Sequence, residues 1–342
     1  MNTRMLHALG AALLTLALSP AQAWIQDADK DSLAARAEQA MWWGDFEALE
    51  QLYVEAQKQP QTALNAWNGS HPVQSFRSGM ASAFKYGNLN GAYFRELEKL
   101  TEGWARSRPD SVLAQLVYAR ALYAHAWHVR GTSYWQSVPA PAKAEFTRLI
   151  AKANKHLSDR AKLLMTDTSS HIYLVMIGRV SNWTFEQLEA IAEDSLRRSP
   201  ADEDSLYEEL AAELMPKWGG SWPELHRYVE AVDARTKARR GHEAYALLWS
   251  MVASSYDGNI FADLRADWPR IKQGYESLVA KRADPHYANR LAYLACTARA
   301  LPAARAALAQ LGDRADAGDW RGGGAAGTQN YEACVRWVNE AR

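Results

Sequence analysis

The chain has 342 residues, with 39 Lys plus Arg set against 39 Asp plus Glu, and is 48% hydrophobic. That balance offers no basic stripe for nucleic acid, so no nucleic-acid partner is expected. A chain of this length buries enough surface to fold without depending on disulfides or metal ions, as one long domain or two.

Taken from the start, Arg4 precedes an apolar stretch from Ala8 to Leu18 and the small-residue site Ala21-Gln22-Ala23. This is the pattern of a signal peptide over 1–23, cleaved after Ala23, and it predicts a periplasmic or secreted bacterial protein beginning at Trp24. The apolar run is shorter than the roughly 20 residues a spanning helix needs, and no later stretch approaches that length, so no stable membrane insertion is expected.

Beyond Trp24, apolar residues recur at spacings of three and four, as in Leu225, Tyr228, Val229 and Val232, which is the period of a helix. Thr184 with Gln187, Ser205 with Glu208 and Ser221 with Glu224 have the capping-box spacing and predict helix starts. Gly131, Gly241 and Gly312 predict stops, and the basic residues Arg235, Lys237, Arg239 and Arg240 before Gly241 suit the negative end of a helix. Alternating strand patterns are nearly absent.

Breaks near Pro60, Pro109, Asp167, Pro200, Gly241 and Pro285 divide the helices into pairs. Their spacing is irregular and mostly longer than the roughly 34 residues of a tetratricopeptide unit. Helix pairs of this kind cannot bury their apolar faces alone and must stack on neighbours. The expected fold is therefore all-α: an irregular tetratricopeptide-like helix-pair solenoid over 24–342. The stretch Gly131 to Pro141, with Trp135 and two prolines, is a candidate lobe boundary near 131–141. The stretch 312–330, with Gly322-Gly323-Gly324, reads as a flexible loop before a last helix.

Few residues suggest chemistry. Trp42-Trp43 stands out because adjacent helix residues cannot both point inward, so one is expected at a surface that binds something. Ser82 with Lys85 fits a Ser-x-x-Lys pattern, but the partner Lys-Thr-Gly motif is missing. His125 and His128 are three apart on one helix with Arg130 following; no third ligand has recognisable spacing, so no metal is expected. Glu208 with Glu209, and Asp263 with Asp267, offer acid pairs of the sort a glycan-cleaving enzyme needs, and equally of the sort that decorates solvated helices. Asp257, Asn259 and Asp263 resemble a calcium loop whose twelfth position is Trp268 instead of Glu. No phosphate-cradling glycine loop, His-Glu-x-x-His or Gly-x-Ser-x-Gly motif occurs, and no cofactor is expected.

Lys217-Trp218-Gly219-Gly220-Ser221-Trp222 falls between two helices. Its paired glycines predict a tight connection, and Trp218 and Trp222 beside exposed N–H groups offer a recognition pocket as the alternative. Cys296 and Cys334 are the only cysteines, and an exported chain meets an oxidising compartment in which such a pair closes.

Three segments together resemble a bacterial exported family called domain of unknown function 4034: 126–131 with Tyr134, Trp135 and Val138; Leu214-Met215-Pro216-Lys217-Trp218-Gly219-Gly220-Ser221-Trp222; and Gly258-Asn259-Ile260-Phe261-Ala262-Asp263 running on to Trp268. The resemblance implies a tetratricopeptide-like fold and export, and supplies no activity. The leading expectation is a binding protein for a peptide or protein partner in the cell envelope, with His128, Arg130, Trp218, Gly219, Gly220 and Trp222 as candidate binding residues. The alternative is a cell-envelope glycan-active enzyme with paired carboxylates.

Overall fold

A computed structural model describes residues 32–59, 70–85, 89–131, 133, 135–167, 171–198, 203–218 and 220–341. The signal peptide expected over 1–23 and Gly219 lie outside the described residues. Among those described there are sixteen α-helices and no strand. The chain is an all-α helical-repeat protein, as its periodicity predicts, and no helix among the described residues is long and apolar enough to cross a membrane.

Two compact units divide the chain, residues 1–64 with 70–203 and residues 65–69 with 204–342. The first holds α1 (Leu33–Trp43), α2 (Phe46–Gln57), α3 (Pro72–Met80), α4 (Gly91–Ser107), α5 (Val112–Arg130), α6 (Ala140–Ser158), α7 (Ala161–Leu164), α8 (His171–Arg179) and α9 (Phe185–Arg198). Sequence neighbours pack against each other, α5 against both α4 and α6, and α8 reaches back to α5 and α6. The reason is legible in α5: every residue from Leu113 to Trp127 except Arg120 is buried, so the helix is apolar all round and must be enclosed by neighbours. Ala114, Ala119, Ala121, Ala124 and Ala126 are wholly buried, small residues that let those neighbours approach.

The second unit holds α10 (Glu203–Glu213, its first residue in the first unit), α11 (Trp222–Arg240), α12 (Glu243–Ser255), α13 (Trp268–Lys281), α14 (Pro285–Thr297), α15 (Leu301–Leu311) and α16 (Gly324–Glu340). Here α12 and α14 take the enclosed position. Gly274 permits a close approach of α13, because a Cβ there would lie 2.3 Å from the His242 carbonyl oxygen.

Local signals mostly act where expected. Thr184 N–H donates to Gln187 Oε1 at 2.9 Å and Ser221 Oγ accepts from Glu224 N–H at 3.4 Å, while Gly131, Gly241 and Gly312 end their helices with φ of 70°, 60° and 59°. Ser205 is a correction: it sits inside α10, which starts at Glu203, so Glu208 caps nothing. Residues 131–141 lie within the first unit, between two helices packed along one another, and the division falls at Glu203 and Asp204. The loop expected over 312–330 is also shorter, because α16 already begins at Gly324. Trp320, 2% exposed, seats that connection by donating Nε1–H to Asn289 Oδ1 at 3.1 Å, and Gly327 lies where a Cβ would come 2.0 Å from the Ala317 carbonyl oxygen.

Candidate functional site

The first unit gathers polar side chains where α4, α5 and α6 meet. Tyr118 and His125, two turns apart on α5, point the same way, and both are buried. His125 Nδ1 bonds Glu98 of α4, and the Phe94 ring stacks on the imidazole at 5.8 Å. Glu102 of α4 meets Arg106 at 2.8 Å and Lys152 of α6 at 3.9 Å. Arg148 of α6 binds Glu145 through two hydrogen bonds of 2.7 Å. Carboxylates from α4 thus face cations from α6 across a floor supplied by α5.

Electrostatics follow from that crossing. Burial pushes the Glu102 carboxyl up, yet Arg106, Lys152 and Tyr118 together hold it below its ordinary range. Burial pushes the Tyr118 hydroxyl up. His156 of α6, its ring edge-on to Tyr118 at 4.7 Å, is driven by burial down to about 4 and is neutral at pH 7. Tyr118 OH lies beside Glu102 and Lys152, and the His156 imidazole beside the Gln115 backbone.

The second unit carries a comparable seam across α11, α12 and α13. Asp233 accepts from buried His242 Nδ1 at 2.9 Å, and Arg270 clasps Glu230 at 2.6 and 2.8 Å while its guanidinium lies 3.9 Å over the Tyr245 ring. Glu243 is met by Ser277 at 2.6 Å and Lys281 at 2.5 Å. Again α11 supplies acids and α13 supplies cations, with the buried imidazole just before α12 and the phenol on it, but these charges satisfy one another.

The residues singled out from the sequence fall in different places. His128 and Arg130 end α5 in the first unit: His128 packs 4.8 Å from Phe94, and Arg130 lies 4.7 Å over Trp127 and donates to the Gly131 carbonyl. Trp218, Gly220 and Trp222 belong to the second unit. Trp222 meets Tyr256 edge-on at 5.2 Å, and Gly220 presses on α10 so closely that a Cβ would sit 2.2 Å from the Leu214 carbonyl oxygen. Neither unit alone holds the whole set, and Gly220 serves the tight connection its sequence predicts.

Other motifs find structural uses. Ser82 Oγ accepts from Trp42 Nε1–H at 2.9 Å. Asp263 Oδ2 accepts from Asn259 N–H at 2.8 Å, and Asp267 Oδ1 caps α13 through Arg270 N–H at 3.0 Å. Among the described residues no group of three or more His, Cys, Asp or Glu is arranged to hold a metal ion. Cys296 of α14 and Cys334 of α16 lie at disulfide distance, their Cα atoms 5.8 Å apart.

In the sequence Glu208 is a capping partner for Ser205 and half of an acid pair with Glu209. In the fold it is half-buried on α10, and burial first, then Asp204 and Glu209, raise its carboxyl to about 7 against a weaker opposite pull from His286. The folded state therefore holds this proton after the unfolded chain has released it. Stability is predicted to fall as pH rises from 4.5 through about 7, by on the order of 2 kcal/mol. Denaturant titrations at several pH values should show a flatter profile for Glu208→Gln than for the native chain; identical profiles would remove the assignment.

Tyr118, Glu102, Lys152 and His156 belong to no local motif. The one available signal was Gln115, Tyr118 and His125 interrupting one side of an otherwise apolar α5. Set against known protein families, curated proteins and solved structures, the chain finds no match.

Proposed function

We propose that this chain is an exported helical-repeat protein, of the kind its resemblance to domain of unknown function 4034 implies, that binds an extended segment of a peptide or protein partner in the cell envelope. The observation that carries the reading is the α4–α5–α6 seam, where the part-exposed carboxylate of Glu102 faces the Lys152 ammonium at 3.9 Å beside buried Tyr118 and the His156 ring. A peptide brings charged side chains of either sign on a backbone of donors and acceptors, which suits opposed acidic and basic rows. The rows remain reachable: the side chains of Glu102, Lys152 and Arg148 are 31%, 39% and 57% exposed. Export is supported by the leader pattern and by the cysteine pair, which is compatible with an oxidising compartment.

The glycan-enzyme alternative draws support from Glu208, a raised acid one turn from Asp204, which is bound to Arg240 at 2.7 Å. Glycosidase carboxylates flank the scissile bond from two sides, however, and these two share one helix face. Asp263 and Asp267 are engaged in their own turns. Binding is the better-supported reading.

Placing a photo-crosslinking phenylalanine analogue at Lys152 in the full exported chain is expected to give a discrete polypeptide adduct on illumination. The adduct should weaken when Tyr118→Phe and Glu102→Lys are combined. No adduct above the unilluminated control, or one indifferent to both substitutions, counts against the seam.

A further inference from the structure

On the side of α5 turned away from that seam stands a single cation. Arg120 is the one residue from Leu113 to Trp127 that is not buried, and two residues on from Tyr118 it projects from roughly the opposite face of the helix. It sits mid-helix, so the attraction of basic residues to the negative C-terminal pole does not account for it. Its helical neighbours at three and four residues are Leu116, Val117, Tyr123 and Ala124, and none is acidic. The turn Ala81–Phe84, which packs on α5, brings no acid either.

What meets the guanidinium is aromatic. Its central carbon lies 5.1 Å from the ring centroids of both Phe84 and Tyr123, and those side chains are buried. Ring faces attract a cation but supply no strong acceptor for its N–H groups. Nη1 is sealed from solvent and has no hydrogen-bond partner. Nε and Nη2, the parallel donors along the other edge of the fork, are not sealed in this way, and no described residue accepts from them. A guanidinium cannot shed its proton to escape such a setting.

A half-buried cation with apolar walls and an open two-pronged edge selects its ligand. The two oxygens of a carboxylate accept parallel N–H bonds from that edge, and its single negative charge cancels the single positive one. Phosphate carries up to two charges, and stripping water from a dianion beside buried rings costs more than one cation returns. Lys85 directly follows Phe84, is exposed, and adds a second positive charge to the same turn. We propose that Arg120, assisted by Lys85, binds the carboxylate of a small organic acid on the face of α5 opposite the seam. The site does not rest on the peptide-binding reading.

The test is a titration of the full chain, carrying isotope-labelled arginine, with sodium benzoate at an ionic strength held constant with sodium chloride. The Arg120 Nε–H signal, assigned by its loss in Arg120→Lys, is expected to shift and saturate. The Nε–H signal of Arg148 should stay in place, because Glu145 already fills that edge through two bonds of 2.7 Å. Read from the benzoate proton line widths, Arg120→Lys keeps the charge but loses the fork and should weaken binding about tenfold or more. Lys85→Gln should weaken it only about twofold to threefold. An Arg120 signal that does not saturate with benzoate, a shift shared equally by Arg148, a response to inorganic phosphate alone, or undiminished benzoate binding by Arg120→Lys would overturn the proposal. Should the variant fail to fold, the native titration still decides through the contrast between Arg120 and Arg148.

Discussion

Replacing Arg290 with methionine is expected to destabilise the second unit by about 3–5 kcal/mol, among the largest effects of any single substitution. Arg290 is 5% exposed, yet among the described residues it meets neutral oxygens and no carboxylate. Its Nε–H donates to Ser250 Oγ at 2.8 Å, Nη2 to the Ser250 carbonyl at 2.7 Å and to Ser254 Oγ at 2.9 Å, and Nη1 to the Asp319 carbonyl at 2.9 Å. The guanidinium also lies 4.9 Å over Tyr293. One side chain therefore ties α12 and α14 to the turn that seats Trp320, and methionine would break all four of these hydrogen bonds and remove the Asp319 carbonyl's Arg290 donor. Lysine keeps the charge but cannot form the planar fork, so Arg290→Lys should fall between the two. Chemical denaturation of the full chain checks this; a loss for Arg290→Met below about 1 kcal/mol would show that the network is dispensable.

Reduction, or Cys296→Ser with Cys334→Ser, is expected to cost about 4 kcal/mol. The two cysteines are 38 residues apart in sequence, and cross-linking a loop of that length removes much of the unfolded chain's freedom. The loss should concentrate on α16, which buries only Gly327, Cys334 and Val338. Its other contacts include Arg299 5.0 Å over Trp337, Arg305 at the Val338 and Ala341 carbonyls, and Tyr331 5.1 Å from Trp320. Hydrogen exchange should accelerate in 324–340 before the rest of the unit, and the midpoint of thermal unfolding should drop on the order of 10 °C. Equal midpoints with and without reductant would mean that the pair is not bonded in solution.

Much of the architecture was legible because its signals are local. A helix start needs one side chain to accept a free N–H three residues on, so Ser221 with Glu224 predicts α11 unaided. A stop needs a residue tolerant of positive φ, so Gly131, Gly241 and Gly312 mark their ends. Ser205 with Glu208 has the same spacing and does not act this way, because α10 has already begun two residues earlier. The glycine run at 322–324 suggested a longer loop, but Gly327 is held against Ala317 by tertiary contact, which overrides weak helix propensity.

Sites were far less legible. His128, Arg130, Trp218 and Trp222 attract notice by residue type, whereas Tyr118, Glu102, Lys152 and His156 matter by juxtaposition from three helices. Nothing in a single helix's sequence says which of its acids faces another helix's cation. Trp42-Trp43 is the intermediate case: helical geometry alone requires the pair to diverge, but only the packing of Ser82 and Tyr93 decides that Trp43 is the one left outside.

By itself, then, the order of residues determined that this chain is helical, where several of its helices begin and end, and that its helices must stack to hide their apolar faces, because periodicity and caps act within a turn or two. Tertiary structure alone decided that Glu208 would be desolvated, that Arg290 would be buried among neutral acceptors and that Tyr118 would be set between Glu102 and Lys152. Desolvation and pairing are set by whichever atoms arrive from other helices, and that information is not local to any stretch of chain.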